Sequence, residues 1–345
     1  MQSLKWALQL NRQLRSMAAD PLSDVLKTVR LTGAVFFEIA GQGPWAVASP
    51  PRDLILPKIL PGADHLIAYH VVTAGRCFAT PAGGQPMPLK AGEVVVFTQG
   101  QPHIMSSQPG MRADVPAPDV LEVAAAGRKP FAFNYGDSPA SARVVCGYFA
   151  CDARPFNPLL DSLPSVFKAG DAHNEGVGLI VDFIRIAVAE AAENHAGRDS
   201  VLTKLSELMF VDVLRRYLAS IPSEQVSWLA GLRDPMIART LSLMHGKPAH
   251  NWTIEELAKQ AGLSRSVMAE RFTQLVGLPP MHYLAKWRMQ IAAELLTSSN
   301  ANIARIAAEA GYGSEESFSR AFKKMVGVPP SAWRRRPGPF GAHPG

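Results

Sequence analysis

Three cysteines in 345 residues are too few for a disulfide framework, so reduced thiols are the expectation. Long apolar runs are missing as well. No stretch approaches the roughly 18 residues that a membrane-spanning helix needs. The first 20 residues lack the apolar core of a secretory signal; they read either as an amphipathic arm or as residues upstream of the natural start. Charged residues make up only 19% and aromatics 8%, against 47% apolar residues, the balance of an ordinary globular chain with two or three cores. A cytoplasmic protein with no membrane partner is expected.

A net charge of +6 is modest until it is placed. From Arg233 onward there are 15 Lys and Arg against 8 Asp and Glu, whereas the preceding 232 residues carry 20 against 21. The positive excess is therefore confined to the C-terminal third, as a phosphate-binding face beside a neutral domain requires.

That third contains one pattern twice. IEELAKQ-AGLS-RSVMAERFTQLVG-LPP from Ile254 is echoed by IARIAAE-AGYGS-EESFSRAFKKMVG-VPP from Ile303, the second copy carrying Gly313 as an extra turn residue. Each copy predicts a short amphipathic helix, a glycine turn, and a second helix that starts at a serine cap (Ser264, Ser314). Thr253 with Glu256 three residues on reads as a capping box, and Asp234-Pro235 as the start of a packing helix over Met236–His245. Met268, Phe272 and Leu275 in the first copy, and Phe318 and Phe322 in the second, keep helical spacing and are expected to face the core. A connecting helix from Met281 to about Leu296 spans roughly 25 to 28 Å at 1.5 Å per residue. Recognition helices (264–275 and 314–325) held that far apart suit two major-groove segments about 34 Å apart on one face of double-stranded DNA.

Gly311-Tyr312-x-Ser314-x-x-x-Phe318-x-Arg320-x-Phe322-Lys323, followed by Gly327-x-Pro329-Pro330, resembles the signature of AraC/XylS-type transcriptional regulators. Leu275-Val276-Gly277 with Tyr283-Leu284-x-x-Trp287-Arg288-Met289 is similar to the branch whose N-terminal half is a cupin-like sensor. The resemblance implies a ligand-responsive activator that binds promoter half-sites as a dimer and works on RNA polymerase. It implies base readout by Arg265, Ser266, Ala269 and Glu270 in the first unit and by Glu315, Glu316, Ser319 and Arg320 in the second. Arg320 suits a bidentate guanine contact, whereas Glu270 stands where some members have a base and can only accept, for instance from cytosine N4. Lys323, Lys324, Arg288 and Arg334 to Arg336 are expected on phosphates, where they position without specifying.

Upstream the texture is β. Apolar runs at Ala34–Phe37, Trp45–Ala48, Ile67–Val72, Glu93–Phe97 and Arg143–Phe149 alternate with Gly/Pro turns, the rhythm of a sandwich or barrel. Leu89 to His103 resembles the second cupin motif through Gly92, Gly100 and His103, with Thr98 where cupins have Pro. The first motif is degraded: His70 is present, but Val72 replaces the second His and no acid follows in register. A metal-dependent cupin enzyme needs three or four converging ligands. The expectation is therefore no metal, no cofactor and no catalysis, but a jelly roll able to hold a small-molecule effector. Its polar handles are either His70 and His103 together with Tyr69 or Arg76, or else the two histidines are core residues bonded to neighbouring strands. Cys146 and Cys151, five apart on one strand, are predicted on opposite faces about 16 Å apart, which excludes a local disulfide. Buried inert thiols are one reading of Cys77, Cys146 and Cys151, and oxidant sensing is the alternative.

Two amphipathic helices, Gly176–His195 and Ser200–Ile221 (capped by Ser200), follow as a packing pair or a dimer interface, then a hinge at Gly231–Pro235. The fold class is α+β multidomain: an arm (1–20), a cupin-like jelly-roll domain (21–155), a helical dimerisation and linker region (156–232), an all-α domain with two helix-turn-helix units (233–336), and a tail (337–345).

Overall fold

The N-terminal half is organised by one strand that serves two sets of partners. β-Branched and aromatic residues run from His65 to Pro81, and in this computed structural model the whole run is a single strand. The structure describes residues 20–28, 32–59, 65–113, 131–135, 140–151, 155–170, 179–192, 196–222 and 226–335. The 1–20 arm (except Asp20), the 337–345 tail, Arg336 and the Ser223–Gln225 linker lie outside these residues.

In chain order the barrel strands are β1 (Thr32–Gln42), β2 (Ala46–Ala48), β3 (His65–Pro81), β4 (Met87–Lys90), β5 (Val94–Phe97), β6 (His103–Ser106), β7 (Phe131–Tyr135), β8 (Ala140–Cys151) and β9 (Val166–Ala169). The sheet order is β2-β6-β3-β8-β1-β7, with β4 and β5 also on β3, and β9 on β5. The first part of β3 pairs antiparallel with β5 (Ala68 opposite Phe97) and with β8 (His70 opposite Cys146). After a register shift between Val72 and Ala74, the strand goes on to pair with β4 and β6. Even-numbered residues Leu66, Ala68, Val72, Val144, Cys146 and Tyr148 fill one apolar core together with Val95, Phe97 and Met105. Helices α4 (Leu179–Ala192) and α5 (Arg198–Ser220) complete this half. The cap of α5 differs from expectation: it is Gly197 in a left-handed conformation, with no side-chain bond, and Ser200 lies inside the helix.

The remaining helices are α1 (Pro21–Thr28), α2 (Arg52–Ile59), α3 (Pro158–Ser162), α6 (Trp228–Arg233), α7 (Pro235–Gly246), α8 (Ile254–Ala261), α9 (Arg265–Val276), α10 (Pro280–Ser298), α11 (Ile303–Glu309), α12 (Glu315–Val326) and α13 (Pro330–Arg334). Of these, only α2 belongs to the barrel half. Among the described residues none is long and apolar enough to cross a membrane.

The domain boundaries differ from those read off the sequence. Two compact units form, and the second contains not only residues 226–335 but also α1 and residues 155–162 with α3. The barrel unit takes residues 32–151 and 163–221 instead. Buried contacts explain the reassignment. Leu22 and Val25 of α1 are buried, the Phe156 amide donates to Gln290 Oε1 of α10 at 3.0 Å, and Phe156 meets Tyr283 edge to face. Nor is Gly231–Pro235 a hinge. Trp228, Leu229, Ala230 and Gly231 are buried in α6, and Asp234 caps α7 by accepting from the Met236 and Ile237 amides. The described chain thus passes between the two units four times, not once at a flexible linker.

Candidate nucleic-acid interface and barrel interior

Each helix-turn-helix is set by short-range chemistry. Thr253 Oγ1 accepts from the Glu256 amide at 3.1 Å, and Gly262 (φ 75°) takes the left-handed turn that closes α8. The capping box is only half made, because the Glu256 carboxylate accepts from His250 Nε2 at 3.0 Å rather than from the Thr253 amide. Ser264 and Ser314 cap the recognition helices α9 and α12 through the Val267 and Ser317 amides. Met268 and Phe272 in α9, and Phe318 and Phe322 in α12, are fully buried; Val276, not Leu275, continues the buried stripe of α9.

The opposite faces differ sharply. On α9, Arg265, Ser266 and Glu270 are exposed and Ala269 is half-buried. Both arginines of this helix are engaged by acids of the same unit: Arg265 with Glu255 at 3.0 Å, and Arg271 Nε with Asp234 Oδ2 at 2.7 Å. Glu270 accepts from Gln274 at 3.2 Å. On α12, Glu315, Glu316, Arg320, Lys323 and Lys324 are exposed and Ser319 is half-buried. Arg320 pairs with Glu316 at 2.9 Å one turn back, both side chains being more than 70% exposed. An exposed pair of that kind is worth about 0.3–0.5 kcal/mol, whereas a bidentate arginine–guanine contact discriminates by about 1–3 kcal/mol. The pair therefore extends Arg320 without preventing its transfer to a base. Lys323 and Lys324 have no ion pair among the described residues, and they sit in the last turn, where cations complement the helix dipole.

Two expected phosphate contacts are corrected. Arg288 donates from Nε to the Pro248 carbonyl at 2.7 Å and from Nη2 to the His250 carbonyl at 2.8 Å, and its half-buried guanidinium has a pKa lowered by desolvation. Arg334 donates to the Ala301 carbonyl. Both serve the fold, a role that residue type and position in the sequence do not reveal.

In the barrel, the four proposed ligand handles are not brought together. Strand alternation puts Tyr69 on the face opposite His70, stacked on Phe149 at 4.6 Å, and Arg76, past the register shift, is exposed. His70 and His103 do meet, with Nε2 to Nε2 at 2.6 Å. His70 Nδ1 lies 2.8 Å from Cys146 Sγ, and His103 Nδ1 lies 2.8 Å from the Gln101 carbonyl. The carbonyl can only accept, so His103 carries its proton on Nδ1 and accepts on Nε2. His70 then donates from Nε2, and the Cys146 thiol donates to His70 Nδ1. The proton order of a Cys146–His70–His103–Gln101 chain is thereby fixed. Phe97 stacks on the His103 ring at 3.7 Å. Burial holds the His103 pKa down to about 4 and the His70 pKa well below its ordinary value, the latter also lowered by His103. Among the described residues, no group of three or more His, Cys, Asp or Glu side chains is arranged to hold a metal.

All three cysteines are buried and none is in a disulfide. Burial, then Glu93, pushes Cys77 up to about 12, and burial, then Cys77, raises Cys146. These groups are thiols at neutral pH, the less reactive form.

A barrel fused to two tandem helix-turn-helix units is the architecture of a DNA-binding regulator with its own sensor-type domain. A cupin family model matches residues 20–219 and a helix-turn-helix domain model matches residues 257–336. A putative AraC-like transcription regulator of Streptomyces lividans is 31% identical over 92% of this chain and 99% of its own length. Another from Streptomyces antibioticus is 32% identical over 93% of this chain and its full length. Among solved structures, ToxT from Vibrio cholerae O395 is 10% identical, covering 89% of this chain and 97% of its own, with a TM-score of 0.32. The chain belongs to the AraC-like transcription regulators; it is a DNA-binding regulator of transcription with an N-terminal cupin domain.

Two outcomes follow. Arg320→Ala should relax base preference in duplex selections, whereas Lys323→Ala should weaken binding evenly across sequences and lower the salt slope by about 1; equal loss on specific and random DNA for Arg320→Ala contradicts the assignment. His70, His103 and, in the DNA-binding unit, His245 (pKa about 3, through burial) are held neutral. Because their folded pKa values lie below the unfolded value of about 6.5, the unfolded state takes up more protons, and stability falls as pH drops from about 6.5 towards 4. Thermal melts should therefore show a lower Tm at pH 5 than at pH 7.5, with a smaller drop in His103→Gln; a Tm that is flat or rises on acidification contradicts this.

Proposed function

We propose that this regulator is a ligand-responsive activator that binds promoter half-sites as a dimer. The observation that carries the DNA-reading part is the exposed stripe of α12, where Arg320, Lys323 and Lys324 stand clear of a fully buried Phe318–Phe322 core. In this reading Glu315, Glu316, Ser319 and Arg320 read bases in one half-site, and Arg265, Ser266, Ala269 and Glu270 read the other. Lys323 and Lys324 hold phosphates. The family resemblance supports activation, and with it contact with RNA polymerase. Relatives named as transcription regulators support a role without catalysis.

Ligand response is supported by the polar chain inside the barrel. A jelly-roll core of this size could be wholly apolar, yet it buries His70, His103 and Cys146 at 5%, 3% and 0% exposure. A small polar effector that exchanges hydrogen bonds with His70 and His103 alters strand β3, which runs the length of the sheet. Redox sensing by Cys77, Cys146 or Cys151 is the weaker reading, because all three thiols are buried and burial raises the Cys77 and Cys146 pKa values. To test the ligand reading, the full-length protein is footprinted on chromatin and its targets assayed as reporters, with and without fractionated small-molecule cell extract. Output should respond in the wild type and fail to respond in a His70→Leu/His103→Leu pair that still occupies its sites. Identical output across all fractions, with no shift in wild-type Tm, would remove the ligand.

Dimerisation is supported by the helix pair α4 and α5, where Val201, Leu208 and Ile186 are 41%, 54% and 46% exposed. Val201 and Leu208 lie two turns apart on one face, the spacing of a helix-packing seam. Leu208→Glu should convert a sedimenting dimer to monomer and weaken binding to a duplex carrying two copies of the half-site pair more than to one carrying a single pair. A Leu208→Glu protein that still sediments as a dimer would move the interface elsewhere.

A further inference from the structure

The charge at Arg288 has an unusual setting for a DNA-binding domain. It lies on α10, the helix that joins the two helix-turn-helix units, and its two best donors are spent on backbone. Nε donates to the Pro248 carbonyl and Nη2 to the His250 carbonyl, both in the loop between α7 and α8 that leads into the first unit. The other side of the same guanidinium lies against the turn of the second unit. Gly311 there has φ 78°, and a methyl group placed on it would come within 3.0 Å of Arg288 Cζ and Nη2 and 2.9 Å of Ala249 Cα. Burial raises the pKa of Tyr312, the next residue of that turn, and the Arg288 charge partly offsets it. One guanidinium is thus packed between the entry loop of the first unit and the turn of the second, with glycine the residue that leaves room for it.

We propose that Arg288 is a positioning residue that fixes the separation and rotational phase of the two recognition helices, and so sets the spacing between the half-sites this protein accepts. The inference rests on DNA binding by both helices and adds to it a determinant that touches no base. Charge-assisted bonds to two carbonyls are directional, and the planar fork cannot rotate without breaking one of them. Inserting one base pair between half-sites moves the distal one by about 3.4 Å and turns it by about 35° around the duplex. A braced pair of helices cannot follow that movement, whereas a pair joined only through α10 can follow part of it.

The test uses the full-length protein and a randomised duplex library. Selection defines the two base blocks that the wild type prefers. Affinity is then measured on the best duplex and on versions with one base pair added or removed between the blocks. For the wild type, each spacing change should cost roughly tenfold or more, the scale of a lost half-site contact. Arg288→Met keeps the aliphatic stem and removes the donors. It should bind the best duplex within about threefold of wild type while its spacing penalty falls to about threefold or less. Arg288→Lys, which can keep one carbonyl bond, should fall between, and it carries the test alone if Arg288→Met melts below the assay temperature. An unchanged spacing penalty overturns the proposal. So does an even loss on all duplexes with a reduced salt slope, which identifies a phosphate contact. Failure of the wild type to select any sequence would instead count against two-helix readout itself.

Discussion

The DNA-binding unit depends on one helix that belongs to two cores at once. The first half of α10 buries Tyr283, Leu284 and Trp287, with Tyr283 bonded to His245 at 2.7 Å and Trp287 stacked on the same imidazole at 4.0 Å. Its second half buries Met289, Ala292, Ala293 and Leu296 against Ile306, Phe318 and Phe322 of the second unit. Trp333 closes that core by donating from its indole to the Ala293 carbonyl at 3.2 Å. Neither end can slide, because each residue is worth about 1.5 Å of rise and a shifted register would expose large aromatics on one side or the other. The apolar spacing of α10 therefore sets the coarse distance between the reading helices, and the proposed Arg288 brace the final separation and phase.

That spacing was legible in the sequence, as were the caps of the DNA-binding unit, because both rest on local rules. Thr253, Ser264, Ser314 and Asp234 each need only their own next three amides. Phe272 and Phe322 are placed by helical period alone. What escaped depends on partners far away in sequence. α1, α3 and α6 are 8, 5 and 6 residues long and, unlike the equally short α8 and α11, belong to no repeated motif, and they exist as helices because they are packed. Arg288 looked like a phosphate ligand because its charge is visible and the carbonyls of Pro248 and His250, some 40 residues earlier, are not. In the barrel, period-2 alternation alone separates Tyr69 from His70, but the run they occupy is apolar on both faces, so nothing marks which of them turns inward. The union of His70 with Cys146 comes from the β3–β8 register, which no local pattern encodes.

The barrel interior shows why polarity there is a constraint as well as an opportunity. Each donor in the Cys146–His70–His103–Gln101 chain has one acceptor, so the chain is satisfied in a single proton arrangement. A neutral hydrogen bond contributes only about 1 kcal/mol net, yet leaving one buried partner unsatisfied costs about 1–3 kcal/mol. Adding a proton to either imidazole breaks an acceptor position and places charge in an apolar core, which is why both pKa values fall. Removing one member of the chain therefore leaves its neighbour's bond unmade in the core.

The same accounting separates the two readers. All three short segments that the chain inserts into the DNA-binding unit on its way to and from the barrel pack on its first half: α1 on α7 and α10, α3 on α1 and α6, and α6 on α7 and α9. Asp234 makes the last of these links specific. Its Oδ1 caps α7 while its Oδ2 holds Arg271 of the recognition helix α9. A displacement of α6 thus acts directly on α9, where both arginines are already committed to acids and the outward face offers Glu270. α12 packs instead on α10, α11 and α13. Its cations are uncommitted or held by one weak exposed pair. The two recognition helices thus differ in how firmly each is tied within the DNA-binding unit: α9 is bonded through Asp234 to the start of α7, whereas Lys323 and Lys324 of α12 have no such ion pair among the described residues.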